Sequence, residues 1–248
     1  MPRAPRTPPA DALWSPMPPA RILALFRDRL LLPADVVRAA GEGAYNLAWA
    51  VAGVTELSVL ERLRDALFDI IGEGGTSRDW LDSLDDILDD TGWGTTRAHA
   101  EMIFRTTLAS VYEADRHDRI MASPHVQYLV FDAINDDRVR PEHLALDGMA
   151  WKKDEFPAEY WAPLDYGCRC TVFPADADEL GDLGATEQPP GLARDEDGEM
   201  VHAQEGFRAA PSISGLTEQQ RQELLDRLAL GGWDVLPPPT PPPPDRSP

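Results

Sequence analysis

From residue 57 onward the apolar positions recur every three or four residues. Val59, Leu60, Leu63, Leu67, Ile70 and Ile71 form one stripe that GEGG closes at 72–75, the spacing of the buried face of a helix. Ser58 and Glu61 stand where a capping box would start it. A second helix is predicted from Thr76 and Ser77 to about Gly92, burying Trp80, Leu81, Leu84, Ile87 and Leu88. A third runs from about Thr95 to Ile120, with Met102, Ile103, Leu108, Val111 and Tyr112 on its apolar side. After His125 the period shortens, and VQYLVFD and TVF read as β-type runs between Pro, Gly and Asp turns. Helices first and a small sheet afterwards predict an α+β fold rather than the alternation of a doubly wound sheet.

The same pattern divides the chain. Residues 1–20 and 234–248 are Pro-rich arms expected to be disordered. Residues 21–122 form the helical region and 123–175 a small β-containing subdomain. The stretch 176–215 is strongly acidic with few large apolar side chains, and reads as a linker. In 216–233, Leu216, Leu224, Leu225 and Leu228 take the spacing of one short amphipathic helix.

Composition narrows the function classes. The 248 residues are 43% hydrophobic, enough for a substantial core, yet no apolar run approaches the roughly 20 residues that span a bilayer. No membrane association is expected, and MPRAPRTPPADALW lacks the apolar centre of a secretory leader. The net charge of -20 opposes nonspecific attraction to nucleic acid or anionic lipid. The only two cysteines, Cys168 and Cys170, are separated by one residue and read as free thiols or metal ligands rather than a disulfide framework.

Two stretches concentrate polar chemistry. DDRVRPEHLALDG, Asp136 to Gly148, has Pro141 to break a helix and two arginines able to fork onto carboxylates. A general acid/base pair of His143 with Asp137 or Asp147 is one reading. A turn network in which Arg138 and Arg140 hold buried acids is the other, and the preferred one. GCRC, ending at Cys170, has the second concentration. On an extended backbone Cys168 and Cys170 face one side and Arg169 the other. With His143 the thiols supply three zinc ligands, although C-x-C is an unusual spacing and the leading expectation is no metal. The helix segment RTTLASVYEADR, from Arg105 to Arg116, reads as a salt-bridged face. A phosphate loop, H-E-x-x-H and G-x-S-x-G are all missing from the sequence, so an enzyme is not expected.

Taken in order, AWAVAGV, GGTSRDWLDSLDDIL, IFRTTLASVYEADR, D-x-R-V-R-x-x-H-x-x-L-D-G, a Phe-Pro stretch at Phe156 and P-x-x-x-G-C-R-C from Pro163 to Cys170 resemble the phage Mu F-like head morphogenesis family of minor capsid proteins. The resemblance covers roughly residues 35 to 175. It implies a non-catalytic minor head protein at the portal vertex of a phage head, present in the virion and, during assembly, in the host cytoplasm. Its implied partners are the portal protein, the major capsid or scaffolding protein, and packaged DNA by weak local contact. Within that frame Asp136, Asp137, Arg138, Arg140, His143, Asp147, Cys168, Arg169 and Cys170 read as one structural clasp. A zinc-dependent enzyme or toxin-like domain using His143, Cys168 and Cys170 is the alternative.

Overall fold

A computed structural model describes residues 19–27, 29–40, 44, 48–91, 94–211 and the isolated positions 222 and 226. The Pro-rich arms 1–18 and 234–248 and most of the helix expected over 216–233 lie outside the described residues. Helix α1 (Pro19–Arg27) leads through β1 (Leu30–Leu31) to α2 (Ala34–Ala40) and β2 (Ala48–Trp49). Three longer helices follow, α3 (Leu57–Gly72), α4 (Ser77–Thr91) and α5 (Arg97–Ala122). The remainder is β3 (Tyr128–Asp132), α6 (Pro141–Ala145), β4 (Met149–Lys152), β5 (Thr171–Ala175), α7 (Glu179–Leu183) and β6 (Thr186–Glu187). The fold is α+β.

The predicted apolar stripes are the first core. Leu60, Leu63 and Leu67 of α3 meet Trp80 and Leu84 of α4 and Ala100, Ile103 and Phe104 of α5, with Phe26, Leu31 and Trp49 closing one side. Both tryptophans spend their polar atom inside, Trp80 Nε1 donating to Ala100 O (2.9 Å) and Trp49 Nε1 to Thr107 Oγ1 (3.0 Å). A buried indole N–H without a partner would lose the hydrogen bond it makes in water. The starts of the helices differ in chemistry. Thr96 caps α5 by accepting from His99 N, and Thr76 exchanges bonds with Asp79 at the start of α4. The box expected at Ser58 is not formed, because the helix begins two residues earlier, with Glu56 at the cap and no side-chain bond. Tyr112, expected on the apolar stripe, is 39% exposed.

A second core lies around a four-stranded sheet of order β5-β3-β4-β6. Strand β3 is central and runs antiparallel to both β4 and β5, pairing Leu129 with Trp151 and Val130 with Phe173. Both its faces are covered. Leu129, Phe131, Trp151 and Val172 point into the larger core, and Val130 and Ala150 pack under Leu180 and Leu183 of α7. That is why VQYLVFD is an unbroken apolar run rather than an alternating one. Helix α5 serves both cores, contributing Ala100 to Val111 to the first and Ile120 to the second. Among the described residues no helix is long and apolar enough to cross a membrane.

The acidic stretch expected as a linker is folded as far as it is described. It supplies α7, adds β6 parallel to β4, and returns Ala193, Val201 and Ala203 to the second core. Tyr160 anchors it, its hydroxyl donating to Val201 O and accepting from Ala193 N, both at 2.9 Å. Burial pushes the Tyr160 phenol up to about 12, so the hydroxyl stays a donor. Replacing Tyr160 with Phe strands a buried carbonyl and a buried N–H, and a loss of about 1–3 kcal/mol is expected. Thermal unfolding with limited proteolysis checks this, cleavage appearing first within 188–211.

Candidate functional site

The strand order brings the two polar stretches together. Strand β3 ends at Asp132, opposite Thr171, the first residue of β5, while β4 begins beside the same end with Ala150 opposite Val130. The DDRVRPEHLALDG connection therefore leaves the end of the sheet at which GCRC arrives. Gly148, at φ 74°, turns the first stretch back so that its N–H donates to Phe131 O. A side chain would be strained there.

Inside the first stretch, Pro141 opens the short helix α6 at a position that needs no N–H donor. His143 on that helix is buried, 4% exposed. In the second stretch the backbone alternates as extended chain does. Cys168 and Cys170 point inward, and their Sγ atoms each lie 3.6 Å from His143 Nδ1. Arg169 points the other way and forks onto Asp136, with Nη1 to Oδ2 at 2.6 Å and Nη2 to Oδ1 at 2.8 Å. The three buried donors His143, Cys168 and Cys170 all lie within 4.8 Å of one another. Contact with the Cys170 thiol lowers the Cys168 thiol against its burial, while Cys170, hydrogen-bonded to Cys168, is pushed up.

The partners of the other predicted residues differ from expectation. Arg138 holds no buried acid: its side chain is 73% exposed, and Asp136, 3.7 Å away, already belongs to Arg169. Arg140, 39% exposed, reaches across to Asp165 at 3.0 Å and to Tyr166 O at 3.0 Å. Asp147 is engaged away from His143, accepting from Ala133 N (3.0 Å) and Asn135 Nδ2 (2.9 Å). Asp137 is exposed. His143 therefore faces two thiols rather than a carboxylate, and the acid/base pairing with Asp147 is not assembled.

A neighbouring node on α5 was legible only in part. Arg105 pairs with Glu101 on an exposed helix face, as the sequence predicts. Arg116 is instead largely buried, donating to Glu113 Oε1 (2.7 Å), Val172 O (2.8 Å) and Thr171 Oγ1. Burial pushes the Glu113 carboxyl up and Arg116 opposes it. Glu113 Oε2 is buried with no hydrogen-bond partner among the described residues. The i,i+3 spacing of Glu113 and Arg116 is visible in the sequence, but their contact with β5 is not. Gly167 N donates to Thr106 Oγ1 at 3.1 Å, a second tie between the GCRC turn and α5.

The fork gives two expectations. Hydrogen bonds from Arg169 hold the Asp136 carboxyl well below the usual carboxylate range. Its folded pKa lies below the unfolded one, so the stability the pairing contributes is fully present above about pH 4, declines below it, and is gone only once pH has fallen through the depressed folded pKa. The melting-temperature difference between the wild type and Asp136→Asn should hold from neutral pH to about pH 5 and shrink steadily below about pH 4; a difference still undiminished at about pH 2 would show that the charge is not what holds the fork. Arg138→Ala, by contrast, should change unfolding free energy by no more than about 0.5 kcal/mol, read from denaturant titration.

Residues 61–173 match the family described as "Phage Mu protein F like protein". Among curated proteins, the chain is 31% identical over 147 residues to the "Mu-like prophage FluMu F protein" of Haemophilus influenzae, covering 53% of this chain and 35% of that one. It is 27% identical over 164 residues to the "Putative capsid assembly protein F" of Escherichia phage Mu, covering 57% of this chain and 36% of that one. The chain thus spans about a third of the length of these relatives. No solved structure matches. The matched region contains the whole cluster, the Asp136–Arg169 fork and the Arg116 node, and across it this chain is similar to the Mu F-like family.

Proposed function

We propose that the protein acts in phage head assembly, as a minor head protein at the portal vertex with the portal protein as its main partner. The observation that carries this is the match of residues 61–173, including both polar stretches, to the Mu F-like family, together with a relative named for capsid assembly. The geometry favours a structural role for the motif residues. Asp136, Arg140 and Asp147 each hold one piece of chain against another, and the protein is read as non-enzymatic. The major capsid or scaffolding protein is its second neighbour, and the virion, with the host cytoplasm during assembly, is its place.

Co-expression with the portal protein encoded alongside it, followed by pull-down and sedimentation, tests the portal assignment. A stable complex is the expected result, and no complex under particle-forming conditions overturns it. Contact with packaged DNA is weak and local in this reading, since the net charge of -20 repels the phosphate backbone. Anisotropy titration with duplex DNA should detect no tight binding at about 0.15 M salt.

A further inference from the structure

We propose that His143, Cys168 and Cys170 form a structural zinc site that ties α6 to the GCRC turn. The first argument is metric. With Zn–S about 2.3 Å and Zn–N about 2.0–2.1 Å, tetrahedral ligands place sulfur and nitrogen about 3.5–3.6 Å apart. Both Sγ atoms stand 3.6 Å from His143 Nδ1. Both sulfur-to-nitrogen spacings are thus those of a tetrahedral ion, and the same nitrogen faces both sulfurs.

The second argument is chemical. Two thiolates and one imidazole are the donor set of zinc among the abundant divalent ions, whereas calcium and magnesium require oxygen. Charge agrees with burial. All three donors are buried, and two thiolates around a divalent cation form a neutral unit, while an isolated buried thiolate would carry a large desolvation cost. Binding releases the thiol protons to solvent. Both cysteines are free thiols in the structure, so no bond has to break first.

The third argument is that the frame around the donors is already set. Arg169 is fixed on the opposite side of the backbone by Asp136, and Gly167 is fixed by Thr106, which turns both thiols toward α6. Cys168 and Cys170 line a cleft of about 400 Å³ together with Glu113 and Thr171, and a fourth, oxygen ligand would be a water drawn from it. Glu113 is 91% buried by its 9% exposure, and its Oε2 lacks a hydrogen-bond partner among the described residues. That oxygen would accept from a water completing the coordination. Nothing in this inference requires the capsid assignment, and either can fail without the other.

The test uses the full chain, expressed with added zinc and purified without chelators. Elemental analysis should find about one zinc per chain. Cobalt(II) added to the stripped protein should give a sulfur-to-cobalt charge-transfer band and the intense visible bands of a tetrahedral ion. Both signals should disappear in C168S/C170S and in H143A. If those variants do not fold, the cobalt spectrum of the wild type still decides, since only a thiolate-bound ion gives the charge-transfer band. Zinc well below one per several chains with no such band would overturn the proposal and leave a buried thiol pair. Stoichiometric zinc retained by folded C168S/C170S would overturn it too, by placing the ion elsewhere.

Discussion

Arg116 donates from one guanidinium to Glu113 on its own helix and to Thr171 and Val172 on β5. The rest of the arrangement depends on that junction. Helix α5 spans 26 residues and belongs to the helical core over most of its length, reaching the sheet core near its end with Ile120 and with the His117 ring against Trp161. Apolar packing alone is nondirectional and would tolerate sliding of a helix over a sheet edge. A planar guanidinium with several directed donors does not tolerate it, because each ångström of slip breaks a bond inside a partly dehydrated space. Breaking it would leave Glu113 as an uncompensated buried acid, which is far costlier than losing an exposed pair.

Once β5 is fixed against α5, the ends of the sheet follow. Antiparallel pairing of β3 with β4 and β5 sends the 136–148 connection out of the end of the sheet at which 168–170 comes in. Neither stretch has a strand ladder to hold it, so its backbone must be held by side chains. The small size of the sheet makes this acute, for a few short strands bury limited apolar area. Asp136 with Arg169 and Arg140 with Asp165 each join two connections rather than two regular elements, and Asp147 with Ala133 N closes the base of the first connection. The polar density of the motif is thus what a turn-rich subdomain needs, and it need not signal catalysis.

The sequence made the helical half legible because α3 and α4 bury one face each, and one-sided burial writes a period of three to four residues into the chain. It failed where burial is achieved by single residues. MAWK, which became β4, is four residues long and offers too little alternation to declare itself, and the pair β1 and β2 is shorter still. Residues 176–215 read as a linker because their acids dominate, yet Ala193, Val201 and Ala203 are small enough to enter the core without leaving an apolar stripe. The hydroxyl of Tyr160 secures Ala193 and Val201, and Ala203 N donates to the Glu159 carboxylate beside it.

The candidate site divides in the same way. That Cys168 and Cys170 face one side and Arg169 the other follows from the two-residue period of extended chain, so it was visible before any fold was known. Which carboxylate Arg169 finds was not visible, since Asp136, Asp137 and Asp147 are equivalent in composition and differ only in where the connection carries them. Arg138, two residues from Asp136, looked the natural partner on proximity alone. It loses to Arg169 because a residue beside an acid in a turn cannot present its guanidinium face-on to that carboxylate, whereas one arriving from the opposing connection meets it as a fork. Sequence separation is therefore an asset to such a bond, for the fork that closes 33 residues restrains the whole excursion between the two motifs, and His143 is brought to the thiols as a consequence of that closure.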